Sequence, residues 1–148
     1  MQFFGNPDAA ESKRQFAWTE NLWRELELLG GIRRNGDATT RLGNTLNVSF
    51  QGLHGEDLLI GLDLAGLAVS SGSACLVGSV QPSHILAAMG VPDDWAAATV
   101  RFSIGVHIHD EDLAEITARV RRVVTHQRRT RGWQTLSNQE IRQTEVAA

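Results

Sequence analysis

Cys75 is the only cysteine in the chain, and it stands in the run Ala68-Val69-Ser70-Ser71-Gly72-Ser73-Ala74-Cys75-Leu76-Val77-Gly78-Ser79-Val80-Gln81-Pro82. Serines, glycines and alanines offer little local bulk to bury a thiol, and no second cysteine is present to pair with it. Two readings stand side by side. Free cysteines are often small buried hydrophobes, whereas a thiol in a loop of small residues is available as a nucleophile. Its ordinary pKa of about 8.5 then requires help from its surroundings to ionise near neutrality.

Arg101 has the same two sides. In Thr99-Val100-Arg101-Phe102-Ser103-Ile104 the apolar residues alternate with polar ones, so Val100, Phe102 and Ile104 share one strand face and Arg101 points away from it. A solvated strand arginine is the plain reading. The chemical one is a planar fork that takes a carboxylate through two parallel hydrogen bonds.

Other reactive side chains carry less. His107 and His109 are two apart and would share a strand face, but two ligands fall short of the three or four that zinc takes, so they are expected at the surface. His84, at the start of a short helix, is expected to be structural or solvent-facing. Lys13 is the only lysine, on the polar early turns of a helix, so any lysine chemistry in this chain has that one candidate. Arg119, Arg122, His126 and Arg129 line one side of the last helix, and Arg121, Arg128 and Arg131 add to its charge. That pattern reads as a solvated face, with an acidic partner protein or RNA as the alternative.

The elements that position these residues follow from spacing. Asp8 is placed to cap a helix whose apolar residues Phe16, Leu22, Trp23, Leu26 and Leu29 recur at helical spacing up to Gly30-Gly31. Ile32 to Gly43 reads as a short strand edge and a loop, and Thr45 to Phe50 as a half-buried strand. A helix over Glu56 to Ala65 ends at Gly66, and Leu67 to Ser70 is a further strand from whose end the Cys75 loop leaves. Short helices over His84 to Met89 and within Val91 to Ala98 lead into the Arg101 strand. The last helix, capped by Asp110, runs from Glu111 to about Arg128 with Leu113, Ile116, Val120, Val123 and Val124 as its stripe.

The whole reads as an α+β fold: about three strands in one mixed or antiparallel sheet, with helices mainly on one face. Residues 1–14 are expected to form an irregular lead-in and helix start, 15–128 the domain, and 129–148 a mobile polar tail with Trp133 tacked back. A length of 148 residues and 42% hydrophobic content suit about one domain with a real core. The net charge of −3 argues against a nucleic-acid binder. A single cysteine, no signal-like start and no apolar run of about 18 residues point to the cytoplasm, with no membrane span.

The stretch from Gly55 to Leu59, the run from Leu62 to Cys75, then Pro82 to Gly90 and Val100-Arg101-Phe102-Ser103-Ile104-Gly105 resemble the NifS-type cysteine desulfurases. Asn44 to Phe50 resembles the strand that precedes these motifs in that family, and the likeness covers roughly residues 15–125. It departs from the family at Leu76-Val77, apolar where small polar residues are usual, and at Gln81, where an acid is common.

The resemblance implies the C-terminal small domain of a class-V aminotransferase-type enzyme. With pyridoxal phosphate, such an enzyme removes sulfur from L-cysteine, leaving L-alanine and an enzyme persulfide. Cys75 then matches the nucleophile and Arg101 the holder of the substrate carboxylate. The family's cofactor lysine, its neighbouring histidine and its aspartate belong to a large domain that this chain does not resemble, and Lys13 lacks their surroundings. A pyridoxal-phosphate-bearing large-domain chain, a sulfur acceptor such as an iron–sulfur scaffold protein, docked in part by the C-terminal region, and a homodimer in the complete enzyme are the implied partners. A stand-alone persulfide carrier and an inactive remnant are the alternatives.

Overall fold

The computed structural model describes residues 9–71 and 83–132, so Asp8, Cys75 and Trp133 lie outside the described residues. In chain order the elements are α1 (Ala9–Glu27), β1 (Ile32–Asn35), β2 (Thr45–Phe50), α2 (Gly55–Leu64), β3 (Ser70–Ser71), α3 (His84–Ala88), α4 (Asp93–Ala96), β4 (Thr99–Ser103) and α5 (Asp112–Thr130). The strands form one antiparallel sheet in the order β1-β2-β4-β3. The α+β expectation holds, and the edge segment at Ile32 makes the sheet four-stranded rather than about three.

Alternation in the two central strands decides where the core sits. Leu46, Val48 and Phe50 of β2 and Val100, Phe102 and Ile104 at β4 are buried on one face, where they meet Leu22 and Leu26 of α1, Leu58 and Leu62 of α2, and Val120 and Val124 of α5. Each such fully buried side chain contributes roughly 1.5–3 kcal/mol. α1 stops where expected: Gly30 and Gly31 have φ of 64° and 55°, a left-handed conformation that glycine adopts without steric cost. The spacing of its buried residues also takes in Trp18, whose Nε1–H donates to the His109 carbonyl at 3.1 Å.

Two expectations are corrected. The strand over Leu67 to Ser70 shortens to Ser70–Ser71, because the Leu67 N–H turns back to the Leu62 carbonyl at 2.9 Å and closes α2. Leu67 and Val69 still pack on the core, without a ladder. Asp110 does not cap α5: the residue before the helix is Glu111, already in αR geometry and without a side-chain cap bond. The Asp112 carboxylate instead accepts the His109 N–H at 2.8 Å.

α2 and α5 approach closely at Gly61, where an added Cβ would lie 2.7 Å from Gln127 Nε2 and 2.8 Å from Val123 Cγ1. On the other side of the sheet, Leu86, Val91 and Ala96 of the α3–α4 segment form a small separate core with Trp95. Among the described residues no helix is long and apolar enough to cross a membrane.

Candidate functional site

Directly opposed residues of an antiparallel pair share a sheet face. The register pairs Asn35 with Asn47, Asn47 with Arg101, and Arg101 with Ser70, so one row crosses all four strands on the face turned away from α1, α2 and α5. Arg101 is exposed on β4, as the alternation requires. Among the described residues no hydrogen bond or ion pair engages its guanidinium.

The neighbouring polar residues are tied together. Asn35, only 8% exposed, donates through Nδ2 to Asn47 Oδ1 at 2.7 Å and to Ser49 Oγ at 2.8 Å. Ser49 Oγ lies 2.9 Å from Thr99 Oγ1, which donates to the carbonyls of Ala96 and Trp95 at 3.2 and 3.3 Å. Thr99 shares the face of Arg101 yet is buried, because α4 closes over that end of the sheet. Sequence spacing shows the face of Thr99 but not this cover.

Arg101, Asn47 and Asn35 line a hollow of about 220 Å³ with Ser83 and with Leu86 and Met89 from the α3 segment. Its floor is polar and one wall apolar, a combination suited to a small ligand with one charged end. Described residues on either side of 72–82 lie near this place. Ser70 stands opposite Arg101, and Ser83 lines the same hollow. A larger hollow of about 410 Å³ between α1 and α5, lined by Glu25, Leu113, Thr117 and Arg121, shares no residue with it.

The remaining candidates separate. Lys13 is exposed on α1, which packs against the opposite face of the sheet from Arg101. A pyridoxal phosphate held as a Schiff base needs a lysine at the site, so the residues of this chain do not fit that cofactor by themselves. His84, His107 and His109 are exposed, and among the described residues no three histidine, aspartate or glutamate side chains gather as a metal site.

Arg128 does not belong to the basic surface. It is 6% exposed and donates to the carbonyls of Leu29, Gly30, Gly31 and Gln51 at 3.3, 2.9, 2.7 and 3.3 Å. Burial pulls its pKa down to about 10, so it remains charged at neutral pH. The signal was present in the sequence: Thr117, Val120, Val124 and Arg128 continue one buried stripe. Arg119 binds Glu115 at 2.8 Å and the Ala65 carbonyl at 3.1 Å, and Arg131 pairs with Asp57. Arg122, His126 and Arg129 remain exposed.

Residues 6–116 match the aminotransferase class-V family. A curated relative, cysteine desulfurase IscS from Ectopseudomonas mendocina, is 39% identical over 116 residues, which is 78% of this chain and 28% of the relative. IscS from Dictyoglomus turgidum is 43% identical over 91 residues, 61% of this chain and 23% of the relative. The chain therefore spans about a quarter of the length of these relatives. Among solved structures, a NifS-like protein superposes with a TM-score of 0.68 at 24% identity, over 80% of this chain and 29% of that one. The X-ray structure of a NifS-like protein from Rickettsia africae gives 0.67 at 23% identity, over 79% of this chain and 30% of the other. At that identity the likeness speaks for the fold.

Proposed function

The chain belongs to the aminotransferase class-V family, and on that premise we propose that it is the C-terminal small-domain portion of a cysteine desulfurase. It acts in removing sulfur from L-cysteine, giving L-alanine and a persulfide on Cys75 for onward transfer. Pyridoxal phosphate belongs, in this reading, to a large domain supplied by another chain or by a longer protein of which this sequence is a part. The complete enzyme is read as a cytoplasmic homodimer.

One observation carries the reading. The described residues on both sides of the Cys75 segment, Ser70 and Ser83, lie at Arg101. Cys75 is four residues from Ser71, and four residues span at most about 14 Å when fully extended. That bound is compatible with Cys75 serving the arginine proposed to hold the substrate, and it supports the reading. Arg101, exposed and uncommitted among the described residues, offers two parallel N–H donors to the substrate carboxylate. A fork of this kind serves substrate binding and has no use in a protein that only carries persulfide.

The persulfide would pass to an acceptor such as an iron–sulfur scaffold protein. Arg122 and Arg129, exposed on α5, are among the cations that an acidic acceptor would meet. Mixing the chain with a pyridoxal-phosphate-bearing large domain and L-cysteine tests the reading. With a thiol reductant present to discharge the persulfide, alanine and sulfide should appear above the level given by the large domain alone, and their absence would sink it.

A further inference from the structure

Asn47 stands between Asn35 and Arg101 in the row that crosses the sheet, and it lines the same hollow as Arg101. Which end of its amide faces the hollow follows from counting protons along the polar chain. Thr99 has one hydroxyl proton, and it goes to the carbonyls of Ala96 and Trp95. Either hydroxyl could donate in the 2.9 Å contact between Ser49 and Thr99, but the carbonyls can only accept, so all three contacts are kept together only when the Ser49 proton is used there. Ser49 Oγ is left to accept, so the Asn35 atom 2.8 Å from it is Nδ2.

The same Nδ2 lies 2.7 Å from Asn47, so the Asn47 atom there is Oδ1. This orientation leaves Asn35 Oδ1 buried without a partner, so it is imposed by Thr99 rather than chosen for the comfort of Asn35. With its oxygen committed to β1, Asn47 keeps both N–H donors off that bond, and among the described residues nothing accepts them. Beside it, across the β2–β4 pair, stands the uncommitted fork of Arg101. The described lining of the hollow contains no acidic side chain to quench either group.

We infer that Asn47 is a second carboxylate-binding residue, whose Nδ2–H donates to the same ligand carboxylate that takes the Arg101 fork. Asn35 positions it, holding the amide with its donors forward through the relay from Thr99 and Ser49. The inference rests on the reading of Arg101 as the holder of an amino-acid carboxylate, and it adds a neutral donor that fixes the orientation of that group.

The test is a titration of the isotope-labelled chain with L-alanine, and with L-alaninamide as the control without a carboxylate, followed by NMR at the Asn47 side-chain amide and Arg101 Nε–H. Both signals should shift with L-alanine and stay in place with alaninamide. Asn47→Asp, which replaces the donor with a repelling charge, should weaken binding by roughly tenfold or more. Thr99→Val, which removes the relay, should weaken it by a few fold and shrink the Asn47 response, an effect that a merely structural Thr99 would not produce. An Arg101 signal that moves while the Asn47 amide stays still, or an Asn47→Asp chain that binds as before, would overturn the inference and leave the reading of Arg101 standing. An Arg101 signal that does not move would overturn both.

Discussion

Arg128 near the end of α5 donates to the Gly31 carbonyl at 2.7 Å and to the Gly30 carbonyl at 2.9 Å, so one guanidinium fastens the last helix to the turn between α1 and β1. The C-terminal carbonyls of a helix lack partners within the helix, and here a buried arginine supplies donors to the turn that follows. Replacing Arg128 with Met leaves these carbonyls without that partner and should cost about 2–4 kcal/mol. Arg128→Lys keeps the charge but loses the planar fork, and should recover only part of it. Urea unfolding checks both: the midpoint should fall in that order while the slope stays constant.

Gly61 sits where α2 and α5 come closest. An alanine there gains about 1 kcal/mol in helix propensity, yet its Cβ would fall 2.8 Å from Val123 Cγ1 and 2.7 Å from Gln127 Nε2. The Gln127 amide also donates to the Asp57 carbonyl at 2.7 Å, so displacing it breaks a link between the two helices. Gly61→Ala should therefore be net destabilising by about 1–2 kcal/mol. Part of that loss should disappear in the Gln127→Ala background, as a double-mutant cycle would show.

Much of this arrangement is legible in sequence. The alternation of Val100, Phe102 and Ile104 fixed the outward direction of Arg101, and the helical stripes found Leu22, Leu26, Val120 and Val124. What stayed hidden depends on contacts between elements. The row from Asn35 through Asn47 to Arg101 is a matter of strand register, which no local period reveals. Thr99 is buried because α4 covers it, and Arg128 because backbone carbonyls replace its hydration. A charged residue continuing an apolar stripe was the available sign in the second case.

Asp37 gives a pH-dependent prediction. Its carboxylate accepts the backbone N–H of Thr40 at 2.6 Å and of Thr39 at 2.7 Å, and the Thr39 hydroxyl at 2.8 Å. These bonds favour the ionised form and bring its pKa from 3.8 to about 2. A depressed carboxyl pKa stabilises the fold above the unfolded value, and the contribution disappears as pH falls through the folded one. The stability gap between the native chain and Asp37→Asn should thus be constant above about pH 5 and shrink steadily as pH falls from there towards about 2. Denaturation measured across that range should show it, and a gap independent of pH would refute it.

The central claim is that Cys75 receives sulfur from an amino acid whose carboxylate is held by Arg101, and mass spectrometry of Cys75 tests it most directly. After incubation of the chain with a pyridoxal-phosphate-bearing large domain and L-cysteine, Cys75 should carry one extra sulfur atom. That sulfur should be lost, or reduced by roughly a hundredfold, in Arg101→Ala, as expected when a charge-assisted bidentate contact is removed. An unmodified Cys75 thiol in the native chain, or equal persulfide in the Arg101→Ala protein, would contradict the account.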